Sequence, residues 1–370
     1  MRYFLIAGEA SGDLHGGNLI QGLRKADPVA VFRFWGGDKM AEASGTAPVV
    51  HYKDGAVMGF TDVLKKAPSL LSNLRNCKRD ILAWKPDAVI LIDYPGFNMK
   101  VAEFCHKSGI KVFYYIAPKT WASRSGRNKQ LRAWVDKLYI IFPFEIDYFK
   151  DKGIPYEYTG NPLVEEIASC DMKRPCNERY IAVLPGSRRS EISRMMPVCM
   201  AAADSLGMKV LVGGAPSMTP EDYVPFIGER KNVELIFGKT YDILKFADAA
   251  VINSGTASLE AAIIGTPQVV CWSASGLTYF IGKKVLRVLD HVKYISLANL
   301  CLDKLVFREL LQDEFTPAAV AKEVKSLVGD ESRREAMAKD YKRLREVLGG
   351  GGASLSAARS MIKEIQSSRI

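Results

Sequence analysis

Tyr180-Ile181-Ala182-Val183-Leu184-Pro185-Gly186-Ser187-Arg188-Arg189-Ser190-Glu191-Ile192 passes from a short apolar run into a glycine turn and then into a helical pattern. An apolar run of this length, closed by Pro-Gly, reads as a buried parallel strand. Residues 190–206 carry helical spacing behind it. Backbone N–H groups at such a helix start, with Arg188 beside them, form an anion site. Arginine can hold a diphosphate through two parallel hydrogen bonds. Gly186, Ser187 and Arg188 are the residues placed there; Ser190 reads equally as an N-cap and Arg189 as a solvated side chain.

The same grammar recurs on the C-terminal side. Strands are expected at 208–212, 233–236, 249–252 and 267–271, with helices at 240–247 and 256–264. Asn253-Ser254-Gly255-Thr256-Ala257-Ser258-Leu259-Glu260-Ala261 again joins a strand to a helix through a glycine turn. Ser254, Gly255 and Thr256 are candidate donors to a phosphate, and Glu260, one turn further on, is a candidate acceptor from ribose hydroxyls. A capped helix start is the plainer alternative, and the pairing of two such turns in one domain favours the nucleotide.

On the N-terminal side, apolar runs at 3–7, 88–92, 110–116 and 138–142 read as parallel strands. Helical stretches at 15–25, 61–67, 69–83, 98–107 and 124–134 lie between them. Alternation of this kind implies parallel sheets covered by helices on both faces. The polar stretch 160–178, with Asn161-Pro162 and Arg174-Pro175, reads as the linker between two such domains. Helices are expected at 317–328 and 330–348, then a run of four glycines, 349–352, and a last helix, 353–367. That helix is free to pack on the other domain or on a second subunit.

Two N-terminal turns carry acids. Gly8-Glu9-Ala10-Ser11-Gly12-Asp13 follows the first strand; it lacks the G-x-G-x-x-G spacing and has no P-loop lysine. Glu9 and Asp13 suit hydroxyl binding or proton abstraction better than phosphate. Asp93, in Leu91-Ile92-Asp93-Tyr94-Pro95-Gly96-Phe97-Asn98, stands at the carboxyl end of a buried strand, where ligands of open α/β sheets bind. It is the first candidate for a general base, with Glu9 and Asp13 behind it. An N-cap or turn role is the alternative for each.

Composition narrows the partners. The 370 residues are 48% hydrophobic and 25% charged, with a net charge of +10, ordinary for a globular protein of two domains. The charge is uneven: residues 65–132 hold 14 basic and 4 acidic side chains. Within 58–83, Met58, Phe60, Val63, Leu64, Leu70, Leu71 and Leu74 recur at helical spacing among lysines and arginines. They read either as core-facing helices or as an amphipathic surface for anionic lipid. Trp121 and Trp134 are the only tryptophans near the tail of that tract, and the scarcity of interleaved aromatics there argues against nucleic acid. No apolar run is long enough to span a membrane, and the first residues are too soon charged for a signal peptide. Seven scattered cysteines and four histidines show no metal-ligand spacing, so neither a metal nor a cofactor is expected.

Taken in order, the glycine-rich first turn, Met58-Gly59-Phe60, Asp93 to Asn98, Leu184 to Ile192, Ser254 to Glu260, Ser296-Leu297-Ala298-Asn299-Leu300 and Glu309-Leu310-Leu311-Gln312 resemble the lipid-A-disaccharide synthases. The resemblance covers nearly the whole chain. It departs from the family at Asn161, at Lys119-Thr120 before Trp121, and at Phe307-Arg308. What it implies is a metal-independent GT-B glycosyltransferase: two Rossmann-like doubly wound domains facing a cleft. Residues 1–165 would bind the acceptor and face the membrane, 166–350 would bind the UDP-sugar, and 351–370 would form the returning or subunit-bridging helix. The implied reaction moves 2,3-diacylglucosamine from UDP to the 6-hydroxyl of 2,3-diacylglucosamine 1-phosphate, with inversion, giving a β-1,6 disaccharide and UDP. The implied place is the cytoplasmic face of a bacterial inner membrane, on its anionic surface. Asn299 and Glu260 would hold the nucleoside, and Trp121 would join the acceptor side. Other expectations compatible with the outline are a UDP-N-acetylglucosamine 2-epimerase, a peptidoglycan-type transferase, or a nucleotide-sugar-binding protein without turnover.

Overall fold

The computed structural model describes residues 1–55, 67–121, 125–273 and 293–368. Met58, Phe60, Val63 and Leu64, and all but the last residue of the helix expected over 61–67, fall outside them. The chain divides into two compact units, Met1–Glu165 with Leu348–Ile370, and Glu166–Val347.

The first unit is built on seven parallel strands: β1 Arg2–Ala7, β2 Val31–Gly36, β3 Val50–His51, β4 Ala88–Ile92, β5 Lys111–Tyr115, β6 Lys137–Ile140 and β7 Tyr156–Tyr158, in the order β3-β2-β1-β4-β5-β6-β7. The central strands are apolar on both sides because helices cover both faces: every residue of β4 is buried. Helices Ala10–Ala26, Ala67–Trp84 and Pro95–Lys107 supply the cover. Arg33 breaks the apolar run of β2, which hid that strand from the sequence. Its guanidinium is matched by Asp80 of the Ala67–Trp84 helix at 2.6 Å, so a charge within the sheet layer is paired rather than stranded.

The second unit repeats the plan with β8 Tyr180–Leu184, β9 Lys209–Gly214, β10 Val233–Phe237, β11 Ala249–Asn253, β12 Gln268–Trp272 and β13 Glu309–Leu311, ordered β10-β9-β8-β11-β12-β13. All its neighbouring strands run parallel. Strands β3, β7 and β13 are only two or three residues long and lie at sheet edges, too short to give a periodic signal.

The stretch read as a linker is partly helical. Pro162–Ser169 forms a helix, and Asn161 caps it: the Leu163 N–H donates to Asn161 Oδ1 at 3.0 Å. Asn-Pro here is an N-cap followed by proline at the first helical position, a polar pair that opens a helix instead of a loop.

At the end of the chain, Gly349 to Gly352 all take positive φ. The last helix, Ala353–Ser367, then crosses the helix Ala10–Ala26 of its own first unit. Gly22 makes this crossing close; a Cβ there would stand 2.6 Å from the Ser354 carbonyl oxygen. Side-chain bonds fasten the helix to β6, to β7 and to the residues after β7: Lys137 pairs with Glu364 at 2.7 Å, and Ser360 and Ser354 donate to Glu157 and Glu165.

Candidate functional site

In each sheet the strand order reverses between two neighbours, β1 and β4 in the first and β8 and β11 in the second. Chains leave such a pair in opposite directions, and the crevice at their carboxyl ends is where open α/β sheets bind ligands. Four of the turns singled out in the sequence lie at these two points.

In the first unit, Ala7 pairs with Ile92, so Gly8-Glu9 and Asp93-Tyr94 emerge side by side. Asp93 and Tyr94 both adopt left-handed backbone conformations, φ 42 and 48, a cost non-glycine residues bear only where the surroundings enforce it. Here the Asp93 carbonyl accepts from Asn98 Nδ2 at 2.7 Å and from the Tyr114 hydroxyl at 2.6 Å. The Tyr94 ring lies on the Gly8 backbone, where a Cβ would meet it at 2.3 Å, so position 8 admits glycine alone. The Asp93 side chain is half-buried. Burial, and then the charge of Glu9, raise its carboxyl above the usual range, while Lys119 and the Tyr94 N–H pull it down. A raised carboxyl at a strand end suits proton abstraction.

Glu9 is exposed, and Ser11 Oγ donates to it at 3.0 Å. Asp13 has a different position. It is buried and accepts from the backbone N–H groups of Gly37, Lys39 and Met40 at 2.6, 3.0 and 3.2 Å. Those bonds cap the helix Asp38–Ser44 and engage both carboxylate oxygens, so Asp13 holds that helix start in place.

Beyond β5 and β6, Trp121 is half-buried and donates from Nε1 to Glu145 at 3.1 Å, with its ring edge against Phe144. Glu145 is buried and also accepts from the N–H groups of Ile141 and Phe142. Burial pushes its carboxyl up to about 7. Of the apolar series, Leu71 is 55% exposed, whereas Leu74 turns inward and packs against the core. Leu70 belongs to the same helix, Ala67–Trp84.

In the second unit, Leu184 pairs with Ile252, which brings the turns after β8 and β11 together. Gly186 has φ 113, and a Cβ would stand 2.5 Å from Glu191 Oε2 and 2.8 Å from Asn253 Nδ2. Glu191 organises this turn: one oxygen accepts from the Ser187 N–H at 2.9 Å and the other from Arg188 Nη1 at 2.7 Å. A glutamate three residues past the N-cap is a readable signal of such a turn. Arg188 caps the helix Arg189–Leu206 and keeps 76% of its side chain exposed.

After β11, Gly255 and Thr256 are exposed at the start of the helix Thr256–Ile264. The Ser254 N–H is already used by the Cys271 carbonyl, and its hydroxyl by Ile295. Glu260 is half-buried beside Tyr241 and Glu166; burial and the charge of Glu166 raise its carboxyl to about 7. Asn299, expected at the nucleoside, is buried. Its amide donates to Phe307 O and Glu309 Oε1, and its Oδ1 accepts from the Val306 N–H. With Glu309 also accepting from Ile295 N and from Ser296, Asn299 ties residues 295–296 to residues 306–309; both of its amide hydrogens are used within the protein.

Solved structures share the fold across nearly the whole chain. UDP-N-acetylglucosamine 2-epimerase from Neisseria meningitidis, bound to UDP-GlcNAc, superposes with a TM-score of 0.69 at 11% identity, covering 98% of this chain and all of that one. The calicheamicin glycosyltransferase CalG4 gives 0.60 at 15%, covering 99% and 98%. Both are likenesses of the GT-B fold. Sequence similarity is more discriminating. The family described as Lipid-A-disaccharide synthetase matches residues 3–364. Lipid-A-disaccharide synthase of Geobacter metallireducens is 36% identical over 368 aligned positions, covering 95% of this chain and 94% of the relative. That of Myxococcus xanthus is 35% identical over 383, covering 100% and 99%. With both switch-point turn pairs in place and the match running almost end to end, the chain belongs to the lipid-A-disaccharide synthase family.

Proposed function

We propose that Asp93 is the general base of a glycosyl transfer that joins two acylated glucosamines. The protein is a glycosyltransferase forming the lipid A disaccharide; the near full-length family match carries that reading. Its substrates are a nucleotide sugar and an acylated sugar phosphate: UDP-2,3-diacylglucosamine as donor and 2,3-diacylglucosamine 1-phosphate as acceptor. The acceptor's 6-oxygen attacks the donor's anomeric carbon while its proton passes to Asp93. The bond from that carbon to the phosphate oxygen breaks with inversion, and the electron pair leaves on UDP. Arg188 and the backbone N–H groups at Gly255–Thr256 take up the charge that develops on the diphosphate. Gly186 and Ser187 shape the turn that lets the diphosphate approach, and Glu260 faces the nucleoside. Glu9 orients acceptor hydroxyls. An acceptor lacking only the 6-hydroxyl tests the assignment: it gives no disaccharide and releases no UDP. UDP release at the normal rate with that acceptor contradicts transfer to the 6-oxygen.

Both substrates carry acyl chains, so the enzyme has to work against a bilayer. No helix among the described residues is long and apolar enough to cross one. The basic tract 65–132 and the exposed Leu71 support attachment to an anionic membrane surface, and the expected site of action is the cytoplasmic face of the inner membrane. Changing the apolar residues of 60–71 to Ser should release the protein from vesicles containing anionic lipid. Retention of the variant on those vesicles in a flotation assay would remove the surface from the account.

A further inference from the structure

The neighbouring strands β1, β4 and β5 end in a row, so Glu9, Asp93 and the turn Ile116–Trp121 share one sheet edge. The turn is rigidly built. Ile116 takes φ 62 while its N–H donates to the Tyr139 carbonyl at 3.0 Å. Ala117 and Thr120 are buried, the Thr120 N–H folds back on the Pro118 carbonyl at 2.6 Å, and Trp121 is tied to Glu145. Between these anchors Lys119 points into solvent. Among the described residues nothing bonds or pairs with its ammonium. Its charge lowers the carboxyls of both Asp93 and Glu145.

An acceptor that presents a hydroxyl to Asp93 and also bears a phosphate meets two carboxylates, Glu9 and Asp93, at this edge. Like charges there repel it unless a cation takes the phosphate. We infer that Lys119 is that cation: it receives the acceptor's phosphate, so that the free primary hydroxyl on the other side of the sugar ring lies against Asp93. A lysine is a compact point charge suited to a phosphate monoester. The donor's diphosphate is provided for separately, by the turns of the second unit. The inference rests on the reading of Asp93, and it makes Lys119 a specificity-determining residue of this chain.

The experiment compares wild type, Lys119→Met and Lys119→Arg on 2,3-diacylglucosamine with and without its 1-phosphate. In Lys119→Met, kcat/KM for the phosphorylated acceptor should fall about tenfold or more. At a pH above the acid limb, where Asp93 is ionised with or without the lysine's charge, the value for the unphosphorylated sugar and the KM for the donor should stay put, and Lys119→Arg should restore most of the preference. An equal fall with both acceptors, or no fall with either, overturns the inference; so does a rise confined to the donor KM. Failure of the Asp93 reading shows elsewhere, as normal turnover by Asp93→Asn.

Discussion

Asp93→Asn should lower kcat by about 100-fold or more, with the acceptor KM little changed. The amide keeps the shape of the carboxylate and tolerates the left-handed backbone at this position, but it cannot take a proton. Stability separates this result from misfolding. Burial and Glu9 raise the Asp93 carboxyl in the folded state, so the ionised form opposes folding at neutral pH. An uncharged amide should therefore leave the melting temperature unchanged or raise it. The same shift sets the pH profile of the wild-type enzyme. The base works only when ionised, so activity is lost as pH falls through its folded-state pKa, on an acid limb displaced upward from the ordinary aspartate value of 3.8. The Asn variant should lack that limb. Near-normal turnover would transfer the role to another group, and Glu9 is the adjacent carboxylate.

Arg188→Ala should lower kcat by roughly 100- to 1,000-fold, the scale seen when one donor to a developing anion is removed. The physical reason lies in how the side chain is held. Glu191 fixes one guanidinium nitrogen at 2.7 Å, while most of the side chain stays exposed at a helix start. It is thus oriented before the diphosphate arrives. Arg188→Lys keeps the charge but loses the planar fork, and should recover only part of the rate. Steady-state kcat and donor KM for the three proteins decide it. An unchanged kcat in Arg188→Ala would assign the leaving-group charge to the N–H groups of Gly255 and Thr256.

The central strands and the turns that follow them were legible because a buried parallel strand is a local, uninterrupted apolar signal. Runs 88–92, 180–184 and 249–252 reappear as β4, β8 and β11 with at most a one-residue change. Strand β2 was not, since Arg33 is made acceptable by Asp80, 47 residues away. Acids were the harder problem. Asp13 and Asp93 both stand near turns at the carboxyl edge, and sequence cannot tell which is saturated by backbone donors. Three N–H groups from the segment 37–40 donate to Asp13. Asn299 is held by groups equally invisible in its own stretch of sequence: its partners Val306, Phe307 and Glu309 come from a following loop and strand. Glu145 gave no signal at all, because its importance comes from burial and from Trp121.

The most direct test of the account is a single incubation. Purified protein is mixed in detergent and EDTA with UDP-2,3-diacylglucosamine and 2,3-diacylglucosamine 1-phosphate, and products are followed by mass spectrometry and by anomeric-proton coupling. UDP and a β-1,6-linked disaccharide 1-phosphate should form in equal amounts, with no UDP released when the acceptor is left out. Epimerised UDP-sugar, or UDP release independent of the acceptor, would contradict it.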